Sequence, residues 1–221
     1  LITGGTGSIG QSLVKKLLHY RPAVIRIYSR DENKQFEMLH EYESLKSEDQ
    51  KRLRFLLGDV RDLSRLEMAV QEVDIIFHLA ALKHVSACEY NPFEAVKTNI
   101  IGTQNVIEAA IHHKVEKVIF TSTDKAVNPT NAMGSSKLMA ERLMASAHSV
   151  RGPSQTTFVS TRFGNVAGTR GSVIPKFIDQ IKLAKLITIT DPRMTRFLMT
   201  MDRALQLIID AACFGNDGEI Y

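Results

Sequence analysis

Gly4, Gly7 and Gly10 stand in the run Thr3-Gly4-Gly5-Thr6-Gly7-Ser8-Ile9-Gly10, between a short β-rich segment and the first stretch with helical periodicity. A strand must turn sharply into a helix there, an anion must approach bare backbone, and the helix must press on the strand. Each demand excludes a β-carbon. The free N–H groups and the positive end of the helix dipole then hold phosphates. The run predicts a dinucleotide-binding turn, with Gly4, Thr6, Gly7, Ser8, Ile9 and Gly10 around a pyrophosphate. A purely structural turn is the alternative, and the strand–helix junction argues against it.

The rest of the chain alternates in the same way. Short β-rich runs fall at residues 1–3, 24–28, 53–57, 74–79, 115–122, 156–162 and 186–190, with helical stretches at 9–18, 31–46, 63–70, 92–112, 131–149 and 174–184. Ile9, Leu13, Val14, Leu17 and Leu18 mark one helix face. The unbroken apolar run at 74–79 suits a strand buried on both faces, and Pro92 fits the first turn of its helix. Strands alternating with helices imply parallel βαβ units, hence an α/β fold with a doubly wound parallel sheet, the Rossmann arrangement. A dinucleotide-binding domain with the catalytic residues is expected over residues 1–165, and the beginning of a small C-terminal substrate lobe over 166–221. Leu1 enters in mid-strand without an initiator Met, and residues 218–221 look like a strand cut short, so the sequence reads as an excerpt of a longer chain.

Composition narrows the class. With 44% hydrophobic and 24% charged residues over 221 positions, the chain suits a soluble globular domain that needs neither metal nor disulfide to fold. Cys88 and Cys213 match no ligand spacing and read as reduced thiols of a cytoplasmic protein. No run approaches the ~18 apolar residues of a membrane span, and no secretory leader is visible. The net charge of +4, from 28 basic against 24 acidic residues, is scattered and not interleaved with aromatics. That excludes a nucleic-acid surface and suits a small polyanion.

Ser29-Arg30-Asp31 follows the second strand. An acid there takes a ribose 2′-hydroxyl and favours NAD, whereas an Arg accepts a 2′-phosphate and favours NADP. With Arg30 first, a hydroxyl on Ser29 and Lys34 one turn beyond, NADP is expected over NAD; a solvated surface charge is the alternative for Arg30. At the carboxyl end of the next-to-last expected strand of the domain stand Thr123, Asp124 and Lys125, where open α/β sheets bind ligands. Lys137 follows on the next helix with Met133 four residues before it, on the same helix face. Methionine cannot transfer a proton, so proton chemistry falls to Asp124 and Lys125, unless the pair is only a solvated loop.

These motifs resemble a known family. The G-x-x-G-x-x-G spacing resembles the extended short-chain dehydrogenases/reductases, in which a Tyr precedes the Lys by four residues. The pattern Ser122-Thr123-Asp124-Lys125-Ala126-Val127-Asn128-Pro129…Asn131-Ala132-Met133-Gly134…Lys137 resembles the UDP-N-acetylglucosamine 4,6-dehydratases of bacterial surface-polysaccharide and capsule biosynthesis, in the branch with Met for Tyr. The segments around Lys83-His84, Cys88-Glu89, Thr98-Asn99, Arg162–Val166, Arg170–Pro175 and Met194–Phe197 agree, so the resemblance covers essentially the whole chain.

The resemblance implies a redox-neutral lyase reaction, with inversion at C5 and a homo-oligomeric assembly. Hydride leaves C4 of the sugar, a base takes the C5 proton, water leaves from C6, and the hydride returns to C6. Lys125 would be the base and Asp124 the acid, while Lys137 would hold the nicotinamide ribose. Lys125, Thr123 or a water on Lys137 would take the 4-hydroxyl proton. The resemblance also puts Asp59 and Val60 at the adenine, Ala80, Ala81 and Lys83 along the cofactor, and Asn99 among the cofactor-binding residues as the structural Asn that fixes the geometry of the catalytic strand. Lys83, His84, Asn165, Arg170, Ser172 and Arg196 would meet the nucleotide sugar. A satisfied loop histidine is the alternative for His84, and a surface ion pair for Arg196. A sugar 4-epimerase, a ketoreductase and a non-catalytic dinucleotide binder are the rival readings; the missing Tyr argues against the first two, and the retained Asp124, Lys125 and Lys137 against the third.

Overall fold

A computed structural model describes residues 1–44, 46–189 and 191–221. Six parallel strands form the central sheet: β1 (Ile2–Thr3), β2 (Ile25–Ser29), β3 (Leu53–Leu57), β4 (Ile75–His78), β5 (Lys117–Thr123) and β6 (Thr157–Phe163). Their order across the sheet is 3-2-1-4-5-6, so the chain reverses its direction of winding at β1 and opens a crevice beyond the carboxyl ends there.

Helices cover both faces. α1 (Ser8–Leu18) and α2 (Glu32–Tyr42) lie on one, and α4 (Leu63–Val70), α7 (Gly102–His112) and α8 (Ala132–Ser146) on the other, with α3 (Ser47–Arg52), α5 (Val85–Tyr90) and α6 (Pro92–Ala95) in the connections. Several begin where the sequence provides a side-chain acceptor for a free N–H: Asp31 for α2, Asp62 for α4 and Asn131 for α8. One core packs Leu66, Val106, Phe120, Ala140 and Phe158 together, and the opposite one packs Leu13, Met38, Ile119 and Val159. Each such large side chain withdrawn from water stabilises the fold by about 1.5–3 kcal/mol.

The region after β6 departs most from expectation. A short parallel pair, β7 (Asn165–Val166) with β8 (Leu198–Met199), is separated by α9 (Val173–Lys182), which buries none of its residues. The strand expected at 186–190 is irregular over 186–189, and Thr190 lies outside the described residues. α10 (Met201–Phe214), for which no helix was expected, seats Ala204, Leu205, Ile208 and Ala211 in the core with Leu13 and Val14 of α1. Thus a helix from the expected C-terminal lobe packs on the sheet of the first domain. The last residues run beside β6, with Ser160 N donating to Glu219 O at 2.9 Å. The single helix expected over 31–46 ends at Tyr42, and Leu45 lies outside the described residues. Among the described residues no helix is long and apolar enough to cross a membrane.

Between α6 and α7 the helix widens into a π turn over Val96–Ile101. Such turns carry one extra residue and are frequent at functional sites.

Candidate active site

The crevice at the strand reversal is a cleft of about 770 Å³. Its floor is the glycine turn. Gly4 has φ +67°, a left-handed value that favours glycine, and a β-carbon there would lie 2.8 Å from Ala80 N. A β-carbon on Gly10 would lie 2.6 Å from Gly5 O, so α1 rests directly on the turn that leaves β1. Thr6, Ser8 and Ile9 line the cleft beside these glycines, with Ala80 and Ala81 opposite. Thr6 Oγ1 and Ser29 Oγ are 2.8 Å apart, which fixes the end of β2 to the turn. This is a cradle of bare backbone and small side chains at a helix N-terminus, which fits a pyrophosphate.

Asp59 and Val60 line the adjoining wall. Burial alone would raise the Asp59 carboxyl, but hydrogen bonds from Arg61 outweigh it and hold the group below its ordinary value. At the far wall, β5 ends at Thr123 and runs into a 3-10 turn over Asp124–Ala126. Lys125 Nζ donates to Asp124 Oδ1 at 2.9 Å and to Asn165 Oδ1 at 3.1 Å. Thr123 Oγ1 also donates to Asp124 Oδ1, at 2.9 Å. Thr123, Lys125 and Asn165 line the cleft, whereas Asp124 stands behind them.

α8 brings Met133 and Lys137 to the same wall, both buried. Lys137 Nζ donates to Thr121 O at 2.8 Å and sits 4.5 Å from the centroid of the Phe120 ring. Burial lowers its pKa to about 7, against a smaller opposing pull from Glu141. His78, beneath it, is lowered to about 3, first by burial and then by Lys137. It spans Thr3 Oγ1 at 2.7 Å and Thr103 Oγ1 at 3.1 Å as a neutral ring.

Lys83, His84, Arg170 and Ser172 come together at the mouth. Lys83 Nζ donates to Arg170 O at 2.6 Å, and burial lowers its pKa. Arg170 N donates to Ser8 Oγ at 3.0 Å, so the segment after β7 closes onto the glycine turn. Besides Asp124, two expected residues lie outside the cleft lining. Asn99 is buried and clamps the loop after β4, accepting from Leu82 N at 2.8 Å and donating to Leu82 O at 3.0 Å and Ser136 Oγ at 2.8 Å. Arg196 is exposed, donates to Thr195 O, and does not line the cleft. Tyr42 stands four residues before Lys46, the spacing that Met133 and Lys137 have on α8, but it ends α2 away from the cleft and is buried against α1.

Sequence reasoning missed Thr98 and Ser122. The hydroxyls of Thr98, Ser122 and Ser172 are sealed from solvent, have no hydrogen-bond partner among the described residues, and belong to cleft-lining residues. A buried polar group without a partner costs about 1–3 kcal/mol. Such orphans in a cleft fit a polar ligand that supplies the partners, and with the cradle they make the residues present fit a dinucleotide. No local pattern marks them, because their isolation arises from tertiary packing.

The fold, the glycine turn and the lysine on α8 define a dinucleotide-binding domain of the extended short-chain dehydrogenase/reductase kind. More narrowly, the chain belongs to the polysaccharide biosynthesis protein family, whose profile matches residues 1–221. Among similar proteins, an uncharacterized membrane protein of Methanocaldococcus jannaschii is 52% identical over 221 residues. A UDP-N-acetylglucosamine 4,6-dehydratase (inverting) of Campylobacter jejuni is 47% identical over 223 residues, and a UDP-glucose 4-epimerase of Rickettsia conorii 46% over 227. These matches take in 100% of this chain but 65%, 65% and 64% of those proteins, so the chain spans less than two thirds of their length. The X-ray structure of Pen from Bacillus thuringiensis, 51% identical, superposes with a TM-score of 0.95 over 99% of this chain and 68% of that one. A dTDP-glucose 4,6-dehydratase of Streptomyces venezuelae, 24% identical, has the same fold with a TM-score of 0.88 over 100% of this chain and 73% of its own.

The expectation of NADP is corrected. The Streptomyces structure holds NAD, as does WbmF of Bordetella bronchiseptica, which has a TM-score of 0.81. The local physics agrees. Arg30 Nη1 lies 3.4 Å from Asp59 Oδ2, and Lys34 is ion-paired with Asp31, so both cations meant for a 2′-phosphate already face carboxylates. Asp31 also accepts from Lys34 N as the cap of α2 and lines the cleft. The Asp–Lys spacing of three at a helix start was legible in the sequence as an internal pair.

Proposed function

We propose that this chain is the NAD-holding and catalytic part of an enzyme that modifies a nucleotide sugar, and that its reaction is the 4,6-dehydration of a UDP-linked N-acetylglucosamine. The observation that carries the reading is Lys125 at the cleft wall, bonded to Asn165, where Met133 occupies the position of the family's tyrosine. Bound NAD would supply a hydride acceptor for C4 and the donor that later serves C6.

The chain's own residues do the proton work. As hydride leaves C4, a water on Lys137 takes the 4-hydroxyl proton, and Lys125, steered by Asn165, then takes the C5 proton of the ketone. Asp124, behind the cleft lining and in contact with both Lys125 and Thr123, passes a proton through the Thr123 hydroxyl to the C6 hydroxyl, which leaves as water. A proton returned to the opposite face of C5 gives the inverted UDP-4-keto-6-deoxy sugar. Lys137 holds the ribose, while Lys83, His84, Arg170 and Ser172 close over the nucleotide sugar and keep water from the reactive enone. Supporting this reading are the dehydratase among the similar proteins and the pattern from Ser122 to Lys137. Function in the cytoplasm as a homo-oligomer belongs to the same proposal.

The epimerase relatives favour a second reading, 4-epimerization, which needs the same hydride site but no base at C5. Proton NMR of UDP-N-acetylglucosamine and of UDP-glucose, each incubated with the protein in deuterated water, separates the two. A new C6 methyl signal with deuterium at C5 is the expected result. Appearance of the C4 epimer without a methyl signal would replace the dehydratase reading, and unchanged spectra with NAD bound would remove both.

A further inference from the structure

On the outer side of the fold, Glu67 of α4 meets His112 and His113 at the end of α7. One potential ligand atom from each lies within 4.8 Å of the other two. The helices beneath are firmly joined, since Leu66, Ala69 and Val70 share a buried cluster with Val106, Ala109 and Ala110. The backbones are thus fixed and only side chains must adjust. His112 Nδ1 is 2.9 Å from Glu67 Oε1, and the two imidazole centroids are 4.8 Å apart. His113 Nε2 is sealed from solvent and has no hydrogen-bond partner among the described residues, so this ring is not committed to a protein partner through that nitrogen. None of the three side chains lines the catalytic cleft.

We propose that Glu67, His112 and His113 form a site for a divalent first-row transition metal of the zinc class, acting as a clasp between α4 and α7. Two imidazole nitrogens with one carboxylate oxygen are a donor set zinc takes at about 2.0–2.2 Å, with water in the fourth position. Ligands around such a tetrahedron stand about 3.3 Å apart, so the widest pair must close by up to about 1.5 Å. The His112 and Glu67 side chains, 68% and 36% exposed, are free to swing that far. Magnesium and calcium, which prefer oxygen ligands, do not suit the site. The metal would tie together two helices that otherwise meet through apolar contacts and the exposed Glu67–His112 pair, so its effect falls on stability rather than on the reaction.

The test is zinc chloride added to metal-free protein, followed by calorimetry and by thermal unfolding. Uptake of one ion per chain and a rise of about 5 °C in Tm are expected at saturating zinc, with no change in magnesium chloride. His112→Ala and His113→Ala should each weaken zinc binding by more than the ~100-fold that loss of an outer-shell partner can cost. Glu67→Gln, which keeps the shape of the side chain, should also weaken it, and His19→Ala should not. Cobalt(II) in place of zinc should give visible absorption bands that the His112→Ala/His113→Ala double variant lacks. Zinc uptake unchanged in that double variant, or no uptake by the folded parent protein, would overturn the proposal.

Discussion

Around the glycine turn the cleft wall is backbone, whereas at the carboxyl end of β5 it is side chains. In the first region a β-carbon on Gly4 or Gly10 would stand within 2.8 Å of main-chain atoms, so shape is enforced by exclusion. In the second, Lys125, Asn165 and Lys137 are held by bonds to one another's surroundings, and Asp124 supports them from behind. The contrast separates two jobs. Backbone at a helix N-terminus binds phosphate without any titratable group, and so does not depend on protonation. Side chains at a strand end can move protons, and so must be tuned by burial and neighbours. Changes in the first region should therefore act on binding, and changes in the second on turnover.

The strongest way to break that division is Lys125→Ala. Turnover of the nucleotide sugar should fall by roughly 10³-fold, in the range of lost acid–base catalysis, while NAD affinity measured by calorimetry stays within about threefold. Loss of NAD binding in this variant would show that the two regions are not separable. Gly10→Ala should do the reverse. Overpacking against Gly5 O costs about 1–3 kcal/mol, so NAD should bind about 5- to 150-fold more weakly, with a Tm lower by several degrees. A Gly10→Ala variant that binds NAD normally but turns over slowly would refute the exclusion argument.

Lys137→Met sharpens the comparison through pH. With its folded-state pKa lowered from 10.5 to about 7, Lys137 is neutral above 7 in the folded protein while the unfolded chain still binds the proton. Stability from this group therefore rises with pH between those values, and the full cost of the buried cation is present below 7. The Tm of Lys137→Met relative to the parent should thus be highest near pH 6 and decline towards pH 9. A difference independent of pH would mean that Lys137 is not the buried cation responsible. The smallest effect is expected from Thr98→Val, which removes an orphan hydroxyl of equal size. Stability should hold or improve slightly, and ligand affinity should weaken about fivefold, the worth of about one hydrogen bond. Unchanged affinity for both NAD and nucleotide sugar would show that the hydroxyl meets neither.

The same contrast explains what could be read in the chain before its fold was known. Gly4, Gly7 and Gly10 are legible because their demand is local: a strand, a turn and a helix within a few residues. Lys137 and Met133 are legible because helical spacing puts them on one face. Arg30 misled, since its partner Asp59 lies in the loop just after β3, brought beside it only by the sheet. Arg196 was a sound choice by chemistry, yet it is exposed and bonded to its own neighbour. α10 does carry apolar residues at helical spacing, at Ala204, Leu205, Ile208 and Ala211, so that helix is legible in the sequence of 201–214. Thr98 and Ser122 were beyond reach, for nothing nearby in sequence says that a hydroxyl will lack a partner.

The π turn at Val96–Ile101 acts on the numbering of everything that follows it. One residue more than a regular helix holds is spent there, and each residue turns an α-helix by about 100°. Thr98 and Asn99 are thereby set out of phase with the stripe of Val106, Ala109 and Ala110 that faces the core. Removing one residue from the turn would leave that stripe in place and swing the preceding segment round, taking Thr98 from the cleft and Asn99 from Leu82. The extra residue is a phase shift written into one helix: it lets the part that serves the ligand and the part that serves the core obey different rhythms along a single continuous rod.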